Sequence, residues 1–227
     1  IDFCKKQKLK EAILKSVDLL QSQSFEEIQK VINEAMNLGA DNNCGHDYHK
    51  DVLDRFELTM RSPISTHWEE IDNITKGGLG KRELGVVIAP TGAGKSMALV
   101  HLGAMAVVKG NTVVHYTLEL ADTVVGQRYD SCITGIDLGK LMHMKDSIVE
   151  VVKHIPGTLV IKEYPSKSAS TRTISAHLEK LKQKGVNPDM IIVDYADLLR
   201  PTESGFKTQE LRHSLGNTYE ELRAIGQ

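Results

Sequence analysis

Residues 84–96, which read LGVVIAPTGAGKS, constrain the fold of this chain more than any other stretch. Residues 84–89 are apolar and long enough for one buried strand, and they lead into a loop with Gly92 and Gly94 and then a helical pattern. Small residues let backbone N–H groups turn inward around a phosphate. The N-terminus of a helix adds unpaired N–H groups and the positive end of its dipole. A nucleoside triphosphate is therefore the expected ligand.

Two side chains of this stretch have expected roles. Lys95 would reach the β- and γ-phosphates as a point charge, and the Ser96 hydroxyl would hold Mg²⁺. The usual pattern is G-x-x-x-x-G-K-[ST], and this chain has Ala89 at the first glycine position. The alternative, a chance glycine-rich turn, fits the flanking strand and helix patterns less well. The predicted phosphate-binding residues are consecutive: Ala89, Pro90, Thr91, Gly92, Ala93, Gly94, Lys95 and Ser96.

Two carboxylates end predicted strands further along the chain. The strand predicted over residues 112–118 ends at Glu119, and residues 190–194, MIIVD, form a second strand that ends at Asp194. Ligands of open parallel sheets lie beyond the carboxyl ends of the strands, so both acids could face the phosphate site. Glu119 could act as a general base on the attacking water, and Asp194 could hold Mg²⁺ opposite Ser96. A surface glutamate that opens the next helix is the alternative for Glu119.

Composition excludes few classes of protein. The 227 residues carry a formal net charge of −2 and are 41% hydrophobic, which is ordinary for a soluble globular protein and shows no broad basic field. Three cysteines, Cys4, Cys44 and Cys132, fit a reducing cytoplasm. No signal peptide and no apolar run of about 18 residues is present, so neither export nor a membrane span is predicted. Because the chain starts at Ile1 rather than Met, we expect it to be part of a longer one.

Residues 1–62 are predicted to form a helical linker or docking segment, and residues 63–227 the main domain. One apolar stripe at helical spacing covers residues 9–20, and a second follows a capping box of Ser24 and Glu27. Cys44, His46 and His49 could form a zinc site, but their spacing matches no standard zinc module, which favours a solvated loop. The role of these three residues stays open.

Strands and helices alternate after residue 63, which predicts an α/β domain with a mainly parallel sheet. Trp68 and Ile71 are the expected buried anchors of the segment before the phosphate loop. The glycines at positions 77, 78 and 80 are better read as turn glycines than as a second phosphate loop. His177 lies on a helix face where packing or surface exposure is expected rather than catalysis.

These residues resemble the RecA-fold ATPase domain of DnaB-type replicative helicases, particularly their bacteriophage relatives. The resemblance covers residues 64–227, and its motifs are ISTHWEEID, APTGAGKS, YTLEL and IIVDYADLL. It implies a RecA-like phosphate-loop fold with Glu119 as catalytic base and Asp194 as a Mg²⁺ ligand, with ATP as the nucleotide. Members of the family commonly have Gly at the place of His67 and Gln at that of Asp197, so the role of Asp197 is open.

The same resemblance implies a ring, usually a hexamer, that moves on single-stranded DNA and works with a primase and a helicase loader in the cytoplasm, or in the host cytoplasm for a virus. The loop of residues 200–208 is the expected DNA contact, with Arg200 and Lys207 as its cations; a solvated loop is the alternative. A RecA-superfamily recombinase or clock-type ATPase remains open as a second function. A small-molecule phosphotransferase would need an Arg-rich lid that the sequence lacks.

Members of the family continue beyond the point that matches Gln227, into a strand with a γ-phosphate-sensing Gln and then an arginine finger. The resemblance therefore implies that this domain is truncated at its C-terminal end. We expect the chain alone to bind ATP weakly and to hydrolyse it poorly, because the cation that stabilises the transition state of the neighbouring site is missing.

Overall fold

The computed structural model describes residues 10–11, 13–17, 27–28, 47–50, 52–53, 61–201 and 211–226. The chain divides into two compact units, Ile1–Met60 and Arg61–Gln227. In the first unit, residues 13–17 are helical, as the apolar stripe predicts, and Glu27 is helical in the second predicted helix. His49 is exposed in a turn, whereas Ser24, Cys44 and His46 lie outside the described residues.

The second unit is built on a parallel sheet, which confirms the predicted α/β class. Its strands are β1 (Thr112–Thr117), β2 (Thr158–Glu163) and β3 (Met190–Asp194), in the order β2-β1-β3. Pairing of β1 with β2 runs from Thr112 opposite Thr158 to Thr117 opposite Glu163. Its helices are α1 (Glu69–Thr75), α2 (Lys95–Val108), α3 (Asp122–Thr134), α4 (Lys145–Lys153), α5 (Thr171–Gln183) and α6 (Leu211–Ile225), with 3-10 turns at Leu138–His143 and Ala196–Leu198.

Both faces of the central strand are covered: β1 is buried from Val113 to Thr117, and its side chains alternate between the two faces. Val113 packs with α2 residues on one face. On the other face, Val114, Tyr116 and Leu118 pack against residues of α5 and α6. The result is a three-layer arrangement, helix over sheet over helix, with the core on either side of β1.

The direction of α2 brings its N-terminus to the carboxyl ends of the strands. Near the C-terminal end of α2, Val107 packs against Val113 and Met190, which lie near the beginning of β1 and β3. One turn earlier in the helix, Gly103 faces Ile192, two residues further along β3. The helix therefore runs antiparallel to the strands, and its first residue, Lys95, lies toward the end of the sheet where Asp194 is located.

The strand predicted over residues 84–89 is wrong. Residues 83–90 have no regular secondary structure, and four of their apolar side chains are 39% to 89% exposed: those of Leu84, Val86, Val87 and Ile88. A strand needs a neighbour that pairs its backbone N–H and C=O groups. Both edges of β1 are already paired with β2 and β3, and the described residues contain no strand paired with 84–89. Apolar composition indicates a tendency to be buried and does not supply the partner.

The segment before the phosphate loop is held by polar side chains rather than by a buried core. The Arg61 guanidinium donates to both carboxylate oxygens of Glu83, at 3.0 and 2.7 Å, and to the backbone carbonyl of Gly78 at 2.8 Å. Trp68 is half-buried and stacks on His101 with ring centroids 4.6 Å apart. The prediction that Ile71 is a buried anchor is wrong, since it is 41% exposed on the outer face of the short helix α1.

Asp72 organises the turn that precedes α1. Its carboxylate accepts hydrogen bonds from the Ser65 hydroxyl at 2.6 Å and from the Thr66 backbone N–H at 2.8 Å. These bonds, of which the one from Ser65 has the largest effect, lower the pKa of Asp72 to about 2.

Among the described residues, no helical segment combines the length and the hydropathy that a membrane span requires.

Candidate nucleotide-binding site

The phosphate loop depends on two glycines in left-handed backbone conformations. Gly92 has φ 80° and Gly94 has φ 94°, values that residues with a Cβ rarely adopt. A Cβ built on either glycine would meet no atom of the described residues within 4 Å, so the loop presents open backbone on that side. The N–H of Ala93 donates to the Pro90 carbonyl at 3.3 Å, which closes a tight turn. The sequence pattern of small residues thus produces a loop whose backbone a ligand can approach closely.

Helix α2 begins directly at Lys95, and no side chain caps it among the residues that the structure describes. The first intrahelical bond is donated by the Ala98 N–H to the Gly94 carbonyl at 2.9 Å. The earlier N–H groups of the helix are therefore available to an anion, and the helix dipole favours negative charge there. The Lys95 ammonium folds back over the loop and donates to the carbonyls of Ala89 at 2.8 Å and Pro90 at 3.1 Å.

Glu119 lies beyond the end of β1, in a bend that connects the strand to α3. The preceding residues Thr117 and Leu118 are buried, whereas Glu119 itself is exposed. Its position, two residues after the last residue of a central strand, is the one that the sequence pattern predicts. Exposure leaves the carboxylate free to contact a ligand beyond the strand tips.

Asp194 is the last residue of β3 and is only 2% exposed. It lies on the same face of β3 as Met190 and Ile192, which pack against α2. Within the described part of the chain, its carboxylate has no hydrogen bond or ion pair. A buried carboxylate is costly unless it is paired or holds a metal, so this side chain is suited to a cation.

The tips of β1 and β3 adjoin. Thr117 is opposite Asp194 in the parallel ladder, and the Leu118 N–H donates to the Asp194 carbonyl at 2.8 Å. Glu119 therefore follows directly after the residue that is bonded to Asp194. The two acids lie at one end of the sheet. The N-terminus of α2 and the phosphate loop are directed toward the same end.

The residues present fit ATP and Mg²⁺. Open glycine backbone and an uncapped helix N-terminus suit phosphate oxygens. Within residues 61–201, the Lys95 ammonium bonds only neutral carbonyls, which a phosphate oxygen could replace. For the metal, Asp194 supplies a buried oxygen donor, and the Ser96 hydroxyl makes no hydrogen bond within the described residues. Oxygen donors of this kind are the ligands that Mg²⁺ prefers.

The predicted DNA loop is described only at its start. Arg200 is exposed, and its backbone N–H donates to the Ala169 carbonyl at 2.8 Å. Lys207 lies outside the described residues.

Two other residues considered in the sequence make structural contacts. Asp197, whose role the sequence left open, accepts a hydrogen bond from the Tyr219 hydroxyl at 3.0 Å and so connects the turn after β3 to α6. His177 bonds the Tyr116 hydroxyl at 2.9 Å, in agreement with a packing role.

Sequence reasoning missed a buried polar pair beneath the site. Nδ1 of His115 lies 2.9 Å from the Tyr129 hydroxyl, which joins β1 to α3. Gly103 makes room for this pair, because a Cβ there would overlap the tyrosine hydroxyl. Burial lowers the pKa of His115 to about 4 and raises that of Tyr129. A histidine in the middle of a strand of β-branched and aromatic residues, TVVHYT, was the one signal that could have indicated it.

A glycine loop at a helix N-terminus, with carboxylates at the tips of adjoining parallel strands, defines this unit as an α/β domain of the RecA-like phosphate-loop class. Residues 63–226 match the family model of the DnaB-like helicase C terminal domain. The chain therefore belongs to this family, as the sequence motifs predicted.

The chain is similar to three known proteins. It is 27% identical over 209 residues to a DnaB-like replicative helicase of Enterobacteria phage T4, covering 87% of this chain and 44% of that protein. A solved DnaB-like replicative helicase, described with its interactions with primase, superposes with a TM-score of 0.66 at 13% identity over 99% of this chain and 55% of the other. A second solved structure, described as an ATPase domain, superposes with a TM-score of 0.61 at 15% identity, over 77% of this chain and 64% of the other. The chain thus spans about half the length of the first two.

Proposed function

We propose that this chain contains the ATPase motor domain of a replicative DNA helicase, which couples ATP hydrolysis to movement along single-stranded DNA. The observation that carries the proposal is that the tips of β1 and β3 lie side by side, with the Glu119 side chain exposed and the buried Asp194 carboxylate without a hydrogen-bond partner in the described residues. Membership of the DnaB-like family supports it. So does the likeness to a phage protein that carries the name of a replicative helicase.

The nucleotide is proposed to bind through the loop of residues 89–96. The backbone N–H groups of Gly92 to Ser96 would surround the phosphates, and Lys95 would leave its carbonyl partners for the β- and γ-phosphate oxygens. Ser96 and Asp194 would hold Mg²⁺, which neutralises charge on the phosphates when it is bound.

Glu119 is proposed as the catalytic base. A carboxylate beyond the end of a central strand can accept a hydrogen bond from the attacking water, orient it and take its proton. Lys95 would stabilise the negative charge that develops on the phosphoryl oxygens. Each residue thus acts on a different part of the reaction: water at Glu119, phosphate at Lys95 and metal at Asp194.

The partners of the motor are proposed from the family resemblance. We propose that Arg200 and Lys207, at the start and near the end of the loop of residues 200–208, contact the DNA backbone. A few cations per subunit, repeated around a hexameric ring, would make binding strongly salt-dependent. The solved DnaB-like helicase is described with primase, which supports a primase as a protein partner. A helicase loader is a second partner, proposed from the family resemblance alone. The proposed compartment is the cytoplasm, that of the host for a viral protein.

The test measures binding of a fluorescent ATP analogue with and without Mg²⁺. Lys95→Ala is expected to weaken binding about 10- to 100-fold, because a charge-assisted contact to phosphate is lost. Lys109→Ala is the matched control, since Lys109 caps the opposite end of the same helix and should leave affinity unchanged. Equal affinity in the wild type and the Lys95→Ala variant would refute the proposed site.

Motor activity requires two further measurements. Solution mass with and without ATP tests for a ring, and strand displacement on forked DNA tests the ring fractions for unwinding. Rings that hydrolyse ATP on DNA without separating its strands would contradict the helicase and favour an ATPase of the recombinase or clock type.

A further inference from the structure

Hydroxyl side chains hold the peptide groups on both sides of Glu119. The Thr117 hydroxyl donates to the Leu120 carbonyl at 2.8 Å and accepts from the Leu120 N–H at 3.2 Å. On the other side, the Ser166 hydroxyl donates to the Leu118 carbonyl at 2.8 Å. The backbone that carries Glu119 is thus bonded immediately before and immediately after it, although the glutamate side chain itself is exposed.

These bonds begin where the sheet ends. The Tyr164 N–H donates to the Thr117 carbonyl at 3.0 Å, and the Leu118 N–H donates to the Asp194 carbonyl at 2.8 Å, which are the last ladder bonds on either side of β1. In the part of the chain that the structure describes, no strand lies opposite the carbonyl of Leu118 or either backbone group of Leu120. Without side-chain partners, the chain would leave the sheet with freely rotating peptide groups at the residue proposed to do the chemistry.

The Thr117 hydroxyl is suited to this role because it cannot turn elsewhere. Thr117 is completely buried, and a β-branched side chain has few χ1 rotamers. Its hydroxyl uses its one hydrogen and one lone pair on a single residue, Leu120. A buried hydroxyl that donates one hydrogen bond and accepts another within the same turn stiffens that turn.

We propose that Thr117 and Ser166 are positioning residues for the Glu119 carboxylate: by fixing the two adjacent peptide groups, they hold it where it can orient the attacking water. This inference rests on the proposed role of Glu119 as base. Neither hydroxyl contacts the nucleotide in this scheme, so both act through Glu119. A base that is misplaced by about an ångström can lose about two orders of magnitude in rate.

The test compares Thr117→Val, which keeps the shape and removes both bonds, with Thr117→Ser, which keeps the hydroxyl. Thr134→Val is the matched control, because the Thr134 hydroxyl makes the same two kinds of bond, to the Asp130 carbonyl at 2.6 Å and from the Ile136 N–H at 3.2 Å, at the far end of α3. Ser166→Ala is a milder variant that removes one bond.

Hydrolysis is measured in the full 227-residue chain under single-turnover conditions, with protein in excess over ATP and Mg²⁺ present, so that slow rates are detected. Thr117→Val is expected to slow hydrolysis about 10- to 100-fold with unchanged affinity for ATP. Ser166→Ala should slow it less, Thr117→Ser should restore most of the rate, and Thr134→Val should behave as the wild type.

Amide hydrogen exchange gives a readout that does not depend on turnover. The Leu120 amide should be protected in the wild type and in Thr117→Ser, and should exchange faster in Thr117→Val. Wild-type hydrolysis in Thr117→Val, equal slowing in Thr134→Val, or failure of serine to restore the rate would overturn the proposal. Glu119→Gln distinguishes failure of the proposed base from failure of the proposed positioning role. An unchanged hydrolysis rate in this variant refutes Glu119 as base. Slow hydrolysis in Glu119→Gln together with wild-type hydrolysis in Thr117→Val refutes only the positioning role.

Discussion

Acidification should destabilise the second unit through His115, whose imidazole is fully buried between β1 and α3. One ring nitrogen bonds the Tyr129 hydroxyl, and Nε2 has no hydrogen-bond partner among the described residues. Burial penalises the charged imidazolium and lowers the pKa of His115 from the ordinary 6.5 to about 4. At about 1.4 kcal/mol per pKa unit, protonation is about 3 kcal/mol less favourable in the folded chain than in the unfolded one.

The sign of the change in stability with pH follows from proton binding. Between the two pKa values, the unfolded chain binds a proton at this histidine and the folded chain does not, so stability rises with pH across this range. The contribution is complete above about pH 6.5 and is lost as the pH falls toward about 4. About 2 kcal/mol should already be lost near pH 5, which is a large part of the 5–15 kcal/mol that stabilises a typical domain.

Urea unfolding of the wild type and of His115→Gln between about pH 7 and about pH 4.5 measures the contribution of His115 to the free energy of unfolding. The variant should be less stable than the wild type near pH 7, and the difference should shrink by about 2 to 3 kcal/mol as the pH falls. His143→Gln, which removes an exposed imidazole, should follow the wild-type curve. Parallel curves for the wild type and His115→Gln across the whole range would refute the reasoning.

Two further predictions concern the residues around the phosphate loop. The Asp72 carboxyl should titrate near pH 2 by NMR, and Ser65→Ala should raise its midpoint toward the ordinary 3.8, because the largest stabilising bond to the carboxylate is lost; a midpoint that does not move would exclude Ser65 as the cause. Gly94→Ala should cost about 1–2 kcal/mol of stability through its positive φ and should also weaken binding of ATP. Gly135→Ala, at another positive φ beyond the end of α3, should cost similar stability and leave ATP binding unchanged; equal ATP affinities in the two variants would contradict the assignment of the loop.

Local patterns predicted most of the secondary structure because they report physics within a few residues. The apolar run before Gly110 became α2, the run TVVHYT became β1, and MIIVD became β3 with Asp194 at its tip. The glycines of the phosphate loop take the left-handed conformations that their positions suggested. In each case the conformational preference is carried by the residue itself or by neighbours one helical turn away.

Pairing and packing across the chain could not be predicted in the same way. Residues 84–89 have the composition of a buried strand, yet no described strand pairs with them and they are exposed. The His115–Tyr129 pair and the bond from Ser166 to the turn before Glu119 join residues 14 and 48 positions apart. No spacing rule connects such residues, since they meet only after the strands have aligned.

The sequence by itself determined which residues can carry the chemistry of a phosphate-loop ATPase, because glycine conformation, lysine charge and carboxylate oxygens are properties of single residues. Only the tertiary structure decided how those residues are held. Parallel pairing of β1 with β3 sets Glu119 beside Asp194, and the antiparallel course of α2 directs the loop toward them. Hydroxyls from two different segments hold the turn at Glu119. The physical reason is that alignment of strands and packing of helices depend on contacts between distant parts of the chain.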